Sequence, residues 1–343
     1  NVALPADFQP RSVTFVSPTE GWVLGSTACA SGRCAVIAHT LDAGRTWSRI
    51  NAPATTVDAD ARLATSGGVS TLRFADRLDG WAYGPDLWAT HDGGATWHTV
   101  DLAAVSIGQV DVWDLQAAAG TAYLVAISSK SEGFDIASTP VSRDTWKPAP
   151  VFLAVGAGPV PHVQLVIQGT AGWLIQVDRE VINGARLSGG IWHTWTPPCS
   201  DSAGPAVLAA WNSTGVIADC DLGVWSTPAG EHLYRSTNGG ASFAELSPAV
   251  PLTGADEVAT PNASTIVVAG DSPLDAHGAS TPVVIASFDG GHTWTTVLKP
   301  GQVTFNDLGF TTQTQGVMIT TSGTTSRLLM TRDGGHTWAA VTF

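Results

Sequence analysis

The sequence predicts an all-β fold: a single seven-bladed β-propeller of four-stranded antiparallel blades with a repeated aspartate turn. Three observations lead there. An eight-residue motif, typified by Thr90-His91-Asp92-Gly93-Gly94-Ala95-Thr96-Trp97, recurs along the whole chain. The aromatic residue that ends each copy falls at 47, 97, 146, 195, 243, 294 and 338, giving intervals of 50, 49, 49, 48, 51 and 44 residues. No segment sustains a 3.6-residue apolar period long enough for a helix, whereas short β-branched runs bounded by Gly, Pro, Asn and Asp abound. Four-strand repeats of 40–50 residues that fill a chain of 343 residues specify a propeller, because one such sheet cannot bury both of its faces alone.

The units fall approximately at 11–58, 69–105, 108–155, 160–199, 204–250, 255–300 and 301–343, with 1–10 as an N-terminal edge segment. In the first unit, strands are expected over 12–16, 21–26, 35–40 and 46–50. In the seventh they are expected over 303–310, 316–321, 327–331 and 337–343. The last unit already holds a strand after its motif, so each blade is expected to be continuous in sequence. Residues 1–9 are then free to add an edge strand to blade seven. A second signal precedes each motif: a polar turn followed by Gly-Trp, as in Gly21-Trp22, Gly80-Trp81 and Gly172-Trp173, with Gly215-Val216 and Gly316-Val317 as weaker relatives.

Within the motif each residue type has a physical task. Asp42, Asp92, Asp289 and Asp333, and Asn238 in a softened copy, are expected to accept hydrogen bonds from amides of their own turn. The glycines supply the positive φ that the reversal needs. Trp47, Trp97, Trp294 and Trp338 are expected to return into the layer between blades and bury a large area there. A ligand site repeated in every unit fits less well. The third unit keeps Asp144 but has lost the glycines, and the fourth keeps Gly189-Gly190 but has lost the aspartate.

Composition narrows the partners. With 29 acids against 16 bases, the net charge is −13 and no Lys/Arg-rich run occurs. Nucleic acid and anionic membranes are therefore excluded as expected partners. No apolar run approaches the ~20 residues that span a bilayer. Four cysteines without CxxC spacing are expected to form two disulfides, Cys29–Cys34 and Cys199–Cys220. Disulfides imply an oxidising compartment, and hence a secreted, periplasmic or cell-surface protein. Export is inferred rather than read, since no signal peptide is visible.

The motif Ser/Thr-x-Asp-x-Gly-x-Thr-Trp resembles the Asp-box, or BNR, repeat of sialidases, sortilin-type receptors and family 74 xyloglucanases. Its pairing with an upstream Gly-Trp is most similar to the photosystem II stability/assembly factor (YCF48-like) group, which includes many exported bacterial proteins. The resemblance implies the propeller fold over essentially the whole chain and says little about activity. The residues needed for the enzymes of these families do not carry over. The Arg-Ile-Pro segment of sialidases is absent, and Tyr83, Tyr123 and Tyr234 all sit in structural contexts. A single propeller lacks the cleft between two propellers that the xyloglucanases use. The basic patch of the assembly factor is also missing, because the lysines are only Lys130, Lys147 and Lys299.

Binding in such folds is expected on the variable loops opposite the aspartate turns. The candidate rim residues are Asp178, Arg179, Glu180, Asp219, Asp221, Asp271 and Asp275. No catalytic residue and no cofactor is assigned. No metal site is read either, since His232 and His277 stand alone in their loops; Asp271-Ser272-Pro273-Leu274-Asp275 has some Ca²⁺-loop character but not the full pattern. Two functions compete: a monomeric, exported, non-catalytic scaffold for a protein or polysaccharide, and a glycoside hydrolase or lyase that uses two rim carboxylates as acid and base.

Overall fold

Apolar β-branched runs punctuated by Gly and Asx turns form short antiparallel strands, and a computed structural model contains, among its described residues, 28 of them and no helix. It describes residues 2–57, 67–106, 108–130, 133–154, 162–178, 180–199, 206–220 and 231–343. The strands form seven four-stranded sheets, each made of strands consecutive in sequence and hydrogen-bonded in that order. The first sheet holds β1 (Gln9–Phe15), β2 (Gly21–Cys29), β3 (Gly32–Thr40) and β4 (Ser48–Ile50); the second holds β5 (Thr71–Phe74), β6 (Gly80–Tyr83), β7 (Leu87–Thr90) and β8 (His98–Thr99). The third holds β9 (Val110–Ala118), β10 (Thr121–Ser128), β11 (Gly133–Pro140) and β12 (Lys147–Ala154); the fourth, β13 (His162–Gln168), β14 (Ala171–Asp178), β15 (Glu180–Ser188) and β16 (Ile191–Trp195). The fifth holds β17 (Ala206–Ala210), β18 (Val216–Cys220), β19 (Glu231–Ser236) and β20 (Ala244–Val250); the sixth, β21 (Ala255–Ala259), β22 (Ile266–Asp271), β23 (Pro282–Ser287) and β24 (Thr295–Leu298). The seventh holds β25 (Thr304–Phe310), β26 (Gly316–Ser322), β27 (Thr325–Thr331) and β28 (Ala339–Ala340). This is the seven-bladed β-propeller class. The chain divides into two compact units, one of Asn1–Leu165 with Val341–Phe343 and one of Val166–Ala340.

In the first unit, Trp22 of β2 is completely buried and stacks on Phe74 of β5 (centroids 4.0 Å apart, planes 7° apart) and on His39 of its own sheet. Leu24, Ile37, Leu72 and Ala82 complete that layer. Trp81 lies in the corresponding layer against Leu115, Leu124 and Trp146. In the second unit, Trp173 packs with Ile175, Leu208 and Ala218, and further layers gather around Leu233 with Val268 and around Met318 with Ala269.

The glycine of each Gly-Trp pair has a steric cause. Gly21 pairs with Phe15 across β1 and β2, and a Cβ there would lie 2.5 Å from the Phe15 ring. Gly80 meets Phe74, and Gly316 meets Phe310, in the same cross-strand relation. The ring of strand one folds over the glycine, and the tryptophan beside it points the opposite way into the core.

Three sequence expectations are corrected. The N-terminal segment does not extend blade seven: the Val2 carbonyl accepts the Arg49 amide at 2.8 Å, so it pairs with β4 of the first sheet. The fourth strands start later and are shorter than expected, because Thr46 and its counterparts still belong to the turn, where the aspartate holds their amides. Trp47, Trp97, Trp294 and Trp338 are only half-buried, while Trp146 at the end of the third copy is buried and the tryptophans of Gly21-Trp22, Gly80-Trp81 and Gly172-Trp173 are completely so. Both disulfides are present with the expected pairing. Cys29–Cys34 closes the tip of the β2–β3 hairpin, and Cys199–Cys220 ties the segment after β16 to β18.

Replacing Trp22 with Ala is expected to cost ~3–5 kcal/mol, the usual range for emptying a buried aromatic site. Gly80→Ala is expected to cost ~1–3 kcal/mol by driving a methyl into the Phe74 ring. Chemical denaturation of the two variants against the parent chain checks both; a Gly80→Ala midpoint equal to that of the parent would contradict the steric account.

Candidate functional site

The repeated turn is a closed hydrogen-bonded unit. In the first sheet Asp42 Oδ1 accepts the Thr40 hydroxyl (2.9 Å) and the Thr46 amide (2.9 Å), and Oδ2 accepts the Thr46 hydroxyl (2.7 Å). Thr40 Oγ1 in turn accepts the Gly44 amide at 2.9 Å. The same set recurs around Asp92, Asp289 and Asp333. Asn238 reproduces it without charge, accepting the Ser242 amide and donating to the Ser242 hydroxyl. The Thr46 and Thr96 hydroxyls, then their amides, hold Asp42 and Asp92 down to a pKa of about 2. Asp333 also falls to about 2 because the Thr337 hydroxyl and amide outweigh the opposing burial, and the Thr293 hydroxyl holds Asp289 well below the carboxylate range.

Each of these turns is also locked to the turn joining strands one and two of its own sheet. The Ala43, Gly93, Gly239, Gly290 and Gly334 amides donate to the carbonyls of Thr19, Leu78, Thr214, Ser264 and Thr314, at 2.7–2.9 Å. These donors all have positive φ, from 65° at Ala43 to 81° at Gly290, which aims the N–H at the neighbouring turn. Both oxygens of every such carboxylate are thus engaged within the turn.

The rim residues divide. Asp178 and Glu180 are paired in backbone register across the β14–β15 hairpin, while Arg179 and Asp221 lie outside the described residues. Asp219 is not on an exposed loop: it lies within β18, paired with Val207 and Leu233, and is 1% exposed. Asp271 ends β22. Asp275 lies on the loop beyond it, but its Oδ1 accepts the amides of His277 and Ala279, so the carboxylate caps its own loop. Those two amides lower its pKa. In the first unit an open cavity of about 860 Å³ lies along the edge of the first sheet, lined by Val2, Cys34, Arg49, Asn51, Pro53 and Thr55 among others.

One constellation was not anticipated. His91 Nε2 and His98 Nε2 lie 3.0 and 2.8 Å from the same oxygen, Asp144 Oδ2, and His91 Nδ1 lies 2.6 Å from Asp79 Oδ1. Trp81 Nε1 donates to Asp144 Oδ1 at 3.4 Å. Burial disfavours the charged form of His91, but its hydrogen bonds to Asp79 and then to Asp144 outweigh it and raise the pKa. The sequence signal was Asp144 itself, an aspartate retained in a motif copy that has lost the glycines of its turn.

No family model and no curated protein matches the sequence. Among solved structures, the chain is similar to YCF48 from Cyanidioschyzon merolae (TM-score 0.63, 16% identity, 97% of each chain covered). It is similar to YCF48 bound to D1 peptide (TM-score 0.63, 20% identity, 96% of this chain and 95% of that one). A puromycin-hydrolyzing peptidase of Mycobacterium tuberculosis also matches, with a TM-score of 0.63 and 13% identity; 98% of this chain covers only 52% of that one. These likenesses establish the fold.

Asp92→Ala and Asp333→Ala are each expected to lower the melting temperature at neutral pH by about 2–4 °C. The folded-state pKa values are depressed, so the stabilisation is complete above the ordinary aspartate pKa and is lost as pH falls toward about 2. Thermal melts at pH 7 and pH 2 should show the gap between variant and parent closing in acid; equal gaps would contradict the turn's role.

Proposed function

We propose that this chain is an exported, non-catalytic propeller that binds a protein or a polysaccharide. Its binding surface is formed by the loops joining second to third strands and by the connectors between blades, at the blade ends away from the aspartate turns. The repeats are of the Asp-box type, and the two disulfides support an oxidising, extracytoplasmic location. The observation that carries this reading is the end-to-end likeness to a protein that is itself a single propeller bound to a peptide. The peptidase, by contrast, is matched over only about half its length.

The chemistry of the rim fits a passive surface. Asp275 is committed to its own loop and Asp219 is buried, so Asp178, Glu180 and Asp271 remain as candidate contacts, with Arg179 between the first two in sequence and Asp221 two residues beyond Asp219. Exposed Leu274 adds an apolar contact on the same loop as Asp275. A net charge of −13 favours a neutral glycan or a basic peptide segment over an acidic ligand.

Peptide and glycan arrays probed with the intact chain, followed by a product-release assay on every retained ligand, test the reading. The expected result is retention without turnover, weakened by Asp178→Ala or Asp271→Ala. Release of a cleaved glycan that Asp178→Ala or Glu180→Ala abolishes would overturn it in favour of a hydrolase or lyase.

A further inference from the structure

We propose that His91, His98 and Asp144 form a binding site for a divalent transition-metal ion of the zinc type, joining the second and third sheets. The donor atoms, the two Nε2 nitrogens and a carboxylate oxygen, all lie within 4.8 Å of one another; among the described residues no other group of His, Cys, Asp or Glu converges in this way. Two imidazoles and one carboxylate suit zinc and its neighbours in the first transition row, and discriminate against the oxygen-seeking Mg²⁺ and Ca²⁺. Zn–N and Zn–O bonds run about 2.0–2.2 Å, so an ion seated among donors now 2.8 and 3.0 Å apart needs only side-chain adjustments. His98 is 53% exposed, which leaves a fourth coordination position open to water.

The surroundings favour a metal over a plain ion pair. Asp79 takes the Nδ1 side of His91 at 2.6 Å, and its own side chain is 11% exposed. That is the carboxylate–histidine pair that orients a ligating imidazole, presenting its Nε2 to the ion. The backbone on either side of His91 is fixed because Thr90 and Asp92 are both locked in the second sheet's aspartate turn. His98 is held on β8 opposite Ala89. Asp144 comes from the third sheet's worn motif, where the carboxylate is directed at His91, His98 and Trp81. The aspartate turn and the β7–β8 pairing therefore fix two of the three ligands, His91 and His98.

Titration of the intact, tag-free, chelator-treated protein with ZnCl₂ by calorimetry tests the proposal, with Co²⁺ absorption reporting coordination geometry. One zinc ion per chain is expected at this site, with Co²⁺ giving the intense visible bands of a four- or five-coordinate N₂O site. His98→Ala and Asp144→Asn should each weaken that binding at least tenfold. Asp79→Asn should weaken it about 10–100-fold while leaving the stoichiometry unchanged. His98 is half-exposed, so its variant keeps the fold, which circular dichroism verifies. No zinc uptake by the parent chain, or uptake as tight in His98→Ala as in the parent, would overturn the proposal and leave an ion-pair cluster only.

Discussion

The structure depends on one interaction above the others: the capture of a carboxylate by the turn that contains it. Strand three of each sheet must reverse into strand four within a few residues, and the reversal leaves several amides without strand partners. Asp42 and its counterparts accept those amides and the flanking hydroxyls, which fixes the turn. A fixed turn can then present its own amide to the turn joining strands one and two, as Gly290 does to Ser264. The two turns of a sheet are thereby tied at one end, and sequence alone sets where that end lies.

The same turn is a docking element for the neighbouring sheet. Trp173 and Trp195 of the fourth sheet donate their indole N–H groups to the carbonyls of Gly239 and Gly240 in the fifth, at 3.0 and 2.9 Å. A Cβ on Gly240 would lie 2.8 Å from Trp173 Nε1, and one on Gly94 would lie 2.8 Å from Ile50 Cδ1. Arg235 of the fifth sheet donates to the Gly290 carbonyl of the sixth. In the second, fifth, sixth and seventh sheets the second glycine is needed for two reasons at once, a positive φ of 84–96° and the close approach of the adjoining layer. That double demand explains why glycine at this position is kept in copies where the aspartate has become Asn238.

Fold class, blade continuity and disulfide pairing were legible in the sequence because each rests on local signals: turn residues, strand alternation and cysteine spacing. What was not legible depended on where a side chain points in space. Asp219 sits beside Cys220 in a segment that reads as a polar loop, yet β18 continues through it and buries it. Asp275 reads as a free rim acid, yet it caps amides two and four residues ahead. Val2 reads as a strand extension for blade seven, yet the unpaired edge of β4 takes it. The meeting of His91, His98 and Asp144 involves residues 46 and 53 positions apart, and no local pattern encodes that distance.

The aspartate turns also constrain where function can lie. The carboxylates of Asp42, Asp92, Asp289 and Asp333 are held ionised to unusually low pH, and their oxygens are occupied by hydroxyls and amides. A ligand approaching those ends of the sheets meets fixed negative charge with its hydrogen-bonding capacity already used. Displacing Thr46 or Thr337 to coordinate a ligand would undo the turn and, through it, the contacts to the next layer. The third sheet is the exception that clarifies the rule. With its glycines gone, Asp144 turns its carboxylate outward to groups from the second sheet, and a residue type that elsewhere only stabilises becomes available for chemistry. The worn turn of the third sheet is thus the place where this repeated scaffold presents a non-repeated cluster of His91, His98 and Asp144.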